Sequence, residues 1–407
     1  MSRIDDLIAE HCPEGVEVKT LGEVGAFIRG NGLQKKDLVQ VGVGAIHYGQ
    51  VFTTYGTSTA ITKSFVAPTL AARLRRAKPG DLVIATTSEN DEDVCKAVAW
   101  IGEDEIAISG DACIYSHTMD PLYVAHYFQT DAFQSQKRRF ISGTKVKRVS
   151  GTNIARIKIP VPPPAVQREI AGILGKMEML EAELEAELEY RSRQYAHYRD
   201  SLLTSGNADC EWRTLVEVAS EFGRGKSKHR PRNDPRLYGG PYPFIQTGDI
   251  RNSSHLITQH SQTYSEEGLA QSKLWPRGTV CITIAANIAE TGVLDFDACF
   301  PDSVVGLVTD PEKTSPDYVE YLLQSFKSTL ASRGQGSAQE NINLATFEHA
   351  RFPFPPLNEQ VRIVAILDKF DALVNDLSIG LPAEIKARRQ QYEYYRDRLL
   401  TFGELAA

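Results

Sequence analysis

The sequence predicts an α+β protein in which two similar mixed α/β bodies are separated by an antiparallel pair of long, coiled-coil-like helices, with a pseudo-twofold internal repeat. Three observations predict this fold: a long duplicated segment, short β-rich runs between regularly spaced glycines, and a helical apolar seam after each body. A chain of 407 residues suits two domains better than one core. The predicted boundaries are 1–160 for the first body, 161–205 for the central helix, 206–353 for the second body and 354–407 for the C-terminal helix.

The repeat is clearest where the helices end. Residues 191–204 and 388–401 are identical at nine of fourteen positions, whereas unrelated segments would share about one. The proline clusters at 160–163 and 353–356 are equivalent in the same way. The period of about 195 residues is far longer than that of a solenoid repeat, so a whole domain is duplicated.

The two bodies match less closely than the helices do. Residues 46–51 (Ile-His-Tyr-Gly-Gln-Val) resemble residues 245–250 (Ile-Gln-Thr-Gly-Asp-Ile), but elsewhere only a skeleton of equivalent positions is kept. We interpret this as one scaffold that carries two different surfaces.

Each body is predicted to be rich in short strands. The runs 81–85 and 279–283 are β-rich, and Gly80 and Gly278 come directly before them to supply a turn. Two further segments carry a helical apolar pattern, at 123–129 and 318–324.

A long helix is predicted after each proline cluster, because proline fixes φ and is tolerated at a helix start. Apolar residues then recur every three or four positions, which predicts a narrow coiled-coil seam. The first seam is Ile170, Ile173, Met177, Leu180, Leu184, Leu188, Tyr195, Tyr198 and Leu202. The second is Ile363, Ile366, Phe370, Leu373, Leu377, Tyr392, Tyr395 and Leu399. A kink or short loop is predicted at Gly380-Leu-Pro382, which interrupts the second seam.

The two helices are predicted to pair with each other. About forty residues form a rod of roughly 60 Å, and an apolar seam of that length needs a partner. Because each helix follows a body, an antiparallel pair would place the two bodies at opposite ends of a spacer. The alternative is two independent helices, each packed on its own domain.

The composition is that of an ordinary globular protein, with 42% hydrophobic and 24% charged residues. No apolar run approaches the ~20 residues that span a bilayer, and the first residues lack the apolar core of a signal peptide. We therefore expect a cytoplasmic protein without a membrane partner. None of the six cysteines forms a C-x-x-C pair, so we expect reduced, structural thiols.

The net charge of −7 is unevenly distributed. The segment 178–189 holds six Glu and no Lys or Arg, whereas runs of basic residues lie in the two bodies. For nucleic-acid binding, the position of the basic residues matters more than the total charge.

Five strings carry a resemblance to a known family. They are Pro-Pro-Pro-Ala-Val-Gln-Arg-Glu-Ile-Ala (162–171), Pro-Pro-Leu-Asn-Glu-Gln-Val-Arg-Ile-Val (355–364), the twin Tyr-x-x-Tyr-Arg-Asp-x-Leu-Leu endings, Gly-Ser-Ala-Gln-Glu-Asn-Ile-Asn (336–343) and Gln-Thr-Gly-Asp-Ile (246–250). Duplicated and in this order, they resemble the specificity (S) subunits, HsdS, of type I restriction–modification systems. The resemblance covers almost the entire chain.

The resemblance implies a DNA-reading subunit that catalyses nothing. Each body would be a target-recognition domain for one half of a bipartite, asymmetric site in double-stranded DNA. The helices would set the spacing and dock two modification (HsdM) subunits, which use S-adenosylmethionine to methylate adenine N6. Restriction (HsdR) subunits would add ATP- and Mg-dependent cleavage, so no cofactor or metal is expected in this chain. A nearly circular arrangement is also implied, with the C-terminal helix ending beside the N-terminus.

Candidate DNA-binding residues are cations that neutralise phosphates and polar groups that read base edges. In the first body they are Arg29, Lys35, Lys36, His47, Tyr48, Gln50, Lys137, Arg138, Arg139, Lys145, Lys147 and Arg148. In the second body they are Arg224, Lys226, Lys228, Arg230, Arg232, Gln246, Thr247, Asp249, Gln335, Ser337, Gln339 and Asn341. The glycines at 49 and 248 are predicted to form tight turns that let the backbone approach DNA closely.

Two other hypotheses stay open on sequence alone. One is a stand-alone DNA-binding or scaffold protein with the same duplicated fold. The other is a nucleotide-dependent enzyme, because residues 220–227 nearly match the phosphate-cradling G-x-x-x-x-G-K-S loop. The first glycine of that loop is replaced by Ser220, and the Asn-Pro-Pro-aromatic tetrapeptide of adenine methyltransferases does not occur.

Overall fold

The chain forms two compact units in the computed structural model. The structure describes residues 3–204, 210–228, 231–285, 289–334, 347, 349–375 and 379–405. Unit 1 consists of residues 1–183 and 386–407, and unit 2 of residues 184–385. Each unit thus combines one body with part of the helical segments, while the four-part division at 160, 205 and 353 stays a prediction.

The elements of unit 1 come from both ends of the chain. Its helices are α1 (Arg3–His11), α2 (Leu21–Val24), α3 (Tyr48–Thr53), α4 (Pro68–Ala71), α5 (Pro121–Tyr127), α6 (Asp131–Arg138), α7 (Gly151–Ile154) and the first part of α8 (Pro164–Thr204), with a 3-10 helix at Lys35–Asp37. Its strands are β1 (Glu17–Thr20), β2 (Gly25–Arg29), β3 (Val43–Ile46), β4 (Ser58–Thr59), β5 (Ser64–Val66), β6 (Arg76–Ala77), β7 (Leu82–Ala85), β8 (Thr87–Ser88), β9 (Ala97–Trp100), β10 (Ile106–Ile108), β11 (Ala112–His117), β12 (Lys147–Arg148) and β13 (Lys158–Val161).

Unit 2 is continuous in sequence. Its helices are the second part of α8, α9 (Thr247–Asn252), α10 (Glu266–Ala270), α11 (Pro316–Gly334) and α12 (Leu357–Asn375), with a 3-10 helix at Pro235–Leu237. Its strands are β14 (Glu211–Thr214), β15 (Ala219–Arg224), β16 (Tyr238–Phe244), β17 (Leu256–Ile257), β18 (Gln262–Tyr264), β19 (Leu274–Trp275), β20 (Val280–Thr283), β21 (Thr291–Leu294), β22 (Ala298–Cys299), β23 (Val304–Thr309) and β24 (Arg351–Phe354). The last helix, α13 (Leu381–Leu399), begins in unit 2 and belongs mostly to unit 1.

The sheets of the two units have the same strand order. Unit 1 has a five-stranded sheet β2-β11-β7-β9-β4 and a four-stranded sheet β5-β3-β10-β6, and unit 2 has β15-β23-β20-β21-β17 and β18-β16-β22-β19. The parallel pairs are also equivalent, β3–β10 with β16–β22 and β4–β9 with β17–β21. This common topology confirms the predicted duplication of a mixed α/β body.

The predicted strands are the centres of the five-stranded sheets. Gly80 and Gly278 adopt positive φ values of 91° and 82°, and every residue of β7 and β20 is buried. Both faces are covered because a separate core lies on each side. In unit 1, Leu82 and Ile84 pack towards the long helices, whereas Val83 and Ala85 pack towards the four-stranded sheet.

The predicted helices follow the proline clusters. Helix α8 has 41 residues and begins at Pro164. The second helical segment is divided into α12 and α13, with Ile379 and Gly380 in a turn and bend between them. Pro382 is the second residue of α13, where a missing N–H costs nothing. The predicted interruption is therefore confirmed.

Helix pairing is antiparallel in unit 1. The hydroxyl of Tyr392 donates to Glu178 Oε1 at 2.9 Å, and Arg389 pairs with Glu181 three residues further along α8. Partners that ascend on one helix descend on the other. The paired face is partly polar, which corrects the predicted apolar seam: Leu180 is 46% exposed, while Glu178 is largely covered.

In unit 2, the second part of α8 packs on α12. The rings of Tyr198 and Phe370 stack with centroids 5.8 Å apart, although Tyr198 stays 44% exposed at the edge of the contact. The side chains that share one core are Leu188, Tyr195, Leu203, Ile363, Leu367 and Val374. The alternative of two helices that pack only on their own bodies is thus wrong.

The two chain ends meet in unit 1. Val16 forms a parallel bridge with Glu404, its N–H donates to the Gly403 carbonyl at 2.9 Å, and the Leu405 N–H donates to Val16 at 3.0 Å. The expectation that the C-terminal helix ends beside the N-terminal segment is confirmed.

Within the described ranges, every helix is too short or too polar to span a lipid bilayer.

Candidate nucleic-acid interface

Three of the candidate residues of unit 1, Arg29, His47 and Tyr48, lie where β2 ends. Gly30 donates its N–H to the Ala112 carbonyl at 2.9 Å, and a Cβ at Gly30 would lie 2.1 Å from the Ser109 carbonyl oxygen. Only glycine fits there. Arg29, just before it, is therefore held over the turn 109–111, where its Nε donates to the Gly110 carbonyl at 3.0 Å. We call Arg29 and Gly30, together with the turn 109–111, the strand-end site of unit 1.

Unit 2 has an equivalent strand-end site where β15 ends. The Gly225 N–H donates to the Val304 carbonyl at 2.9 Å, and a Cβ at Gly225 would lie 2.2 Å from the Phe300 carbonyl oxygen. Arg224 thus occupies the place of Arg29. Residues 220–224 form a strand, not a loop that cradles phosphate, so the structure contradicts the nucleotide-site hypothesis for this segment.

The segments around Gly49 and Gly248 are helix starts, which corrects the prediction of tight turns. Helices α3 and α9 begin there, and neither glycine has a positive φ. The Gln50 carboxamide accepts from the His47 N–H at 3.0 Å, and the Asp249 carboxylate accepts from the Gln246 N–H at 2.8 Å. Gln50 and Asp249 therefore cap helices, and this use of their side chains was not predicted.

His47 and Tyr48 lie beside the strand-end site of unit 1. The Tyr48 N–H donates to Ser109 Oγ at 2.8 Å, and the two rings are 4.7 Å apart. Burial lowers the pKa of His47, and the nearby Asp111 partly opposes this change. The equivalent residues of unit 2 are Gln246, which donates to Gln262 at 2.7 Å, and the half-buried Thr247.

Lys137 does not lie at the surface. Its side chain is only 1% exposed, and its ammonium group donates to the carbonyls of Glu92 and Val94, each at 2.9 Å. Burial lowers the pKa of this lysine. The prediction that Lys137 binds DNA is therefore wrong, because its ammonium group holds the loop 92–94 and has no access to phosphate. Its neighbours Arg138 and Arg139 are exposed.

The other basic residues of the first body lie on a hairpin. Ser142 bridges to Arg148, and Gly143 turns the chain with φ of 94°. Lys145 is exposed, whereas Lys147 forms an ion pair with Asp91 at 3.1 Å.

This hairpin is joined to the strand-end site of unit 1. Val149 donates to the Thr86 carbonyl at 3.1 Å, and Thr86 Oγ1 donates to the Asp111 carbonyl at 2.9 Å. The hairpin and the end of β2 are thus both linked to the turn 109–111.

In unit 2, Arg224, Lys226 and Lys228 are exposed. Arg232 forms an ion pair with Asp302 at 2.9 Å, next to the strand-end turn. Five predicted residues lie outside the described residues: Arg230, Gln335, Ser337, Gln339 and Asn341.

Sequence reasoning missed a buried polar cluster that joins the body of unit 1 to its helices. His126 Nδ1 and the Tyr392 hydroxyl are 3.0 Å apart, and Gln129 donates to Thr57 at 2.8 Å. Thr57 and Tyr392 both donate to Glu178. Burial lowers the pKa of His126 to about 4 and raises that of Glu178. The signal in the sequence is the tyrosine that recurs at 195 and 392.

Unit 2 has a charged cluster in the equivalent place. His255 lies 2.6 Å from Glu320 and 2.9 Å from Asp317, and its ring stacks on Tyr321. Tyr321 in turn donates to Asp368 of α12 at 2.8 Å. Burial acts to lower the pKa of His255, but the two carboxylates outweigh it and raise that pKa to about 10.

The described parts of the chain contain no group of three or more His, Cys, Asp or Glu arranged to hold a metal ion. All six cysteines are free thiols, and five of them are buried.

Comparison with known proteins identifies the duplicated body. The sequence profile described as "Type I restriction modification DNA specificity domain" matches twice, at residues 13–190 and 208–387. The chain belongs to this family. The resemblance found in the sequence is thereby confirmed.

Curated relatives of this specificity-domain protein agree with the assignment. It is 33% identical over 272 residues to the EcoR124I/EcoR124II type I restriction enzyme specificity subunit of Escherichia coli, in a match that covers 63% of this chain and 66% of the relative, just under two thirds. It is 31% identical over 281 residues to a putative type I restriction enzyme specificity subunit of Haemophilus influenzae, covering 65% and 69%.

Solved structures show the same fold over nearly the whole length of this specificity-domain protein. A chain of a type I R-M system, from a study of complex assembly and conformational transition, is 17% identical with a TM-score of 0.65, covering 95% of this chain and 98% of the other. The S subunit from M. genitalium is 12% identical with a TM-score of 0.53, covering 94% and 96%. The HsdS subunit from Thermoanaerobacter tengcongensis is 19% identical with a TM-score of 0.51, covering 95% and 97%.

Proposed function

We propose that this chain is the non-catalytic DNA sequence-recognition subunit of a type I restriction–modification complex. Unit 1 and unit 2 each read one half of a bipartite, asymmetric site in double-stranded DNA. The observation that carries the proposal is the pair of strand-end sites: one backbone frame, built on Gly30 and Gly225, presents different side chains in the two units.

The difference between the two sites supports an asymmetric target. His47 and Tyr48 lie beside Arg29 in unit 1, whereas Gln246 and Thr247 hold the equivalent places in unit 2. Imidazole, phenol, amide and hydroxyl groups offer different donors and acceptors to base edges. Two identical half-sites would favour two identical surfaces.

The exposed cations supply affinity that does not depend on sequence. In unit 1 these are Arg29, Lys35, Lys36, Arg138, Arg139, Lys145 and Arg148, and in unit 2 they are Arg224, Lys226 and Lys228. Each cation that neutralises a phosphate releases counterions, which makes binding depend on salt.

The helices would serve as the spacer and the docking surface for partners. Helices α8, α12 and α13 would set the number of unread base pairs and bind two modification (HsdM) subunits, with restriction (HsdR) subunits joining that complex. The chemistry of S-adenosylmethionine, ATP and Mg belongs to those partners. The complex acts on chromosomal DNA in the cytoplasm.

A map of N6-methylated adenines across the genome, with and without this chain, tests the function. We expect one bipartite motif to lose methylation when the chain is absent. Exchange of residues 20–155 for those of a relative should change one half of the motif and leave the other half intact. A motif that changes in both halves, or no motif at all, would refute the proposal. Recovery of two methyltransferase chains with the tagged protein tests the docking role and separates it from a stand-alone DNA-binding protein.

A further inference from the structure

Two arginines that the sequence analysis did not single out complete the basic surface of unit 1. Arg73 and Arg75 lie between α4 and β6, and both side chains are exposed. Arg75 donates from Nη1 to the Arg29 carbonyl at 2.6 Å. This contact brings a separate part of the chain against the end of β2.

Asn31 joins the two segments from the other side. Its Oδ1 accepts from the Arg75 N–H at 2.6 Å, and its Nδ2 donates to the Arg73 carbonyl at 3.2 Å. One side chain thus fixes the backbone at both arginines relative to Arg29. We call Arg29, Arg73 and Arg75 the arginine cluster.

The side chains of Arg29 and Arg75 are both anchored at the end of β2. Arg29 and Arg75 both act electrostatically on the same thiol, that of Cys113. Arg29 donates one N–H to the Gly110 carbonyl, and Arg75 donates one N–H to the Arg29 carbonyl. A guanidinium has five N–H donors, so each side chain is anchored while most of its donors stay available.

Protein carboxylates do not balance this charge. Among the described residues, Lys35, Lys36, Arg73 and Arg75 have no carboxylate oxygen within 4.0 Å, and Arg29 approaches Asp111 only at 3.9 Å. Neighbouring like charges oppose folding unless an anion neutralises them. A group of cations without carboxylate partners suits the regular charges of a nucleic-acid backbone better than it suits one base edge.

We propose that Arg73 and Arg75, held beside Arg29 by Asn31, clamp the phosphate backbone of the half-site that unit 1 reads. This inference rests on the proposed function and adds residues to the same surface. The clamp sets the position of the duplex against His47 and Tyr48, and it carries no base preference of its own.

The test measures how DNA binding depends on salt concentration, for the wild type and for variants. Each is the full chain purified together with the subunits that accompany it. The probes are a duplex with the recognition sequence mapped by methylation and a duplex in which that sequence is scrambled. For Arg73→Ala/Arg75→Ala, we expect the slope of log affinity against log salt to fall by about 1.8. The affinity gap between variant and wild type should then narrow about 12-fold from 50 to 200 mM salt.

Three further variants isolate the cause. Arg73→Ala alone removes no described side-chain hydrogen bond, so it should fold normally and lower the slope by about 0.9. Arg73→Lys/Arg75→Lys keeps both charges and should keep the slope. Arg76→Ala/Glu105→Ala removes the adjacent arginine with its own carboxylate partner, 3.3 Å away, and should leave the slope unchanged.

An unchanged salt slope in both Arg73→Ala and Arg73→Ala/Arg75→Ala would overturn the clamp. A variant that keeps the wild-type slope but loses its preference at one base pair would also overturn it. Equal wild-type binding to the mapped and scrambled duplexes would refute the proposed function instead. The slope comparison on either duplex still decides the clamp.

Discussion

The buried ion pair of His255 should be a large, pH-dependent contribution to the stability of unit 2. The His255→Ala variant leaves the carboxylate of Glu320, which is fully buried, without its cation. Removal of one partner from a buried pair costs about 3–5 kcal/mol. The pKa of about 10 against an ordinary 6.5 leads to a similar figure, about 5 kcal/mol at 1.36 kcal/mol per pH unit.

The direction of the pH dependence follows from the raised pKa. The folded state binds a proton more tightly than the unfolded state, so the contribution is complete below pH 6.5 and is lost as pH rises towards 10. Between pH 7 and 9, the wild type should lose about 1.4 kcal/mol per pH unit relative to His255→Ala.

Hydrogen exchange measured by mass spectrometry is the suitable assay, because it reports on each unit separately. The Val293 amide, which donates to the His255 carbonyl at 3.0 Å, and the amides of α11 report on unit 2. The control is His126→Ala in unit 1, since burial lowers the pKa of His126 to about 4 and keeps it neutral across this range. An effect of His255→Ala that is below 1 kcal/mol, or constant from pH 7 to 9, would refute the assignment of a charged pair.

Three other substitutions test particular contacts. Tyr392→Phe removes the hydroxyl that donates to the partly buried Glu178, so it should destabilise unit 1 by about 2 kcal/mol in hydrogen exchange; equal losses in both units would contradict this. Gly30→Ala places a methyl group 2.1 Å from the Ser109 carbonyl and should cost about 1–3 kcal/mol on thermal denaturation, whereas Gly248→Ala meets nothing within 4 Å and should change stability by less than about 0.5 kcal/mol. Lys137→Met loses two hydrogen bonds to carbonyls and should destabilise unit 1 by about 2–3 kcal/mol while the salt slope of DNA binding stays at the wild-type value; a reduced slope would restore Lys137 to the DNA surface.

Local signals of fixed meaning made much of the fold predictable. Glycine adopts a positive φ without steric cost. Gly80 and Gly278 both have a positive φ directly before a buried strand. Proline lacks a backbone N–H, which costs no hydrogen bond in the first turn of a helix. Pro164 and Pro382 both lie in such a first turn. The duplication was visible because equivalent helix ends kept their tyrosines and arginines.

The details of the candidate site were less predictable, because they depend on tertiary contacts. Nothing in the run 137–139 distinguishes a lysine that reaches two buried carbonyls from the two exposed arginines that follow it. The sequence predicts Gln50 and Asp249 as base-reading side chains. In the structure, each side chain accepts a hydrogen bond from the backbone N–H three residues earlier. Glu178 belongs to the acidic segment 178–189, and only the folded chain brings Tyr392 and Thr57 to it.

The closure of unit 1 by both chain ends sets an order for its assembly during synthesis. Unit 2 is a continuous stretch, 184–385, so all its residues leave the ribosome before the last part of α13. Unit 1 needs residues 386–407, including the strand bridge of Glu404 to Val16 and the hydroxyl of Tyr392. Translation therefore completes unit 2 before unit 1, and the core of unit 1 beneath α5 and α8 lacks Tyr392 and Leu399 until α13 has been synthesised.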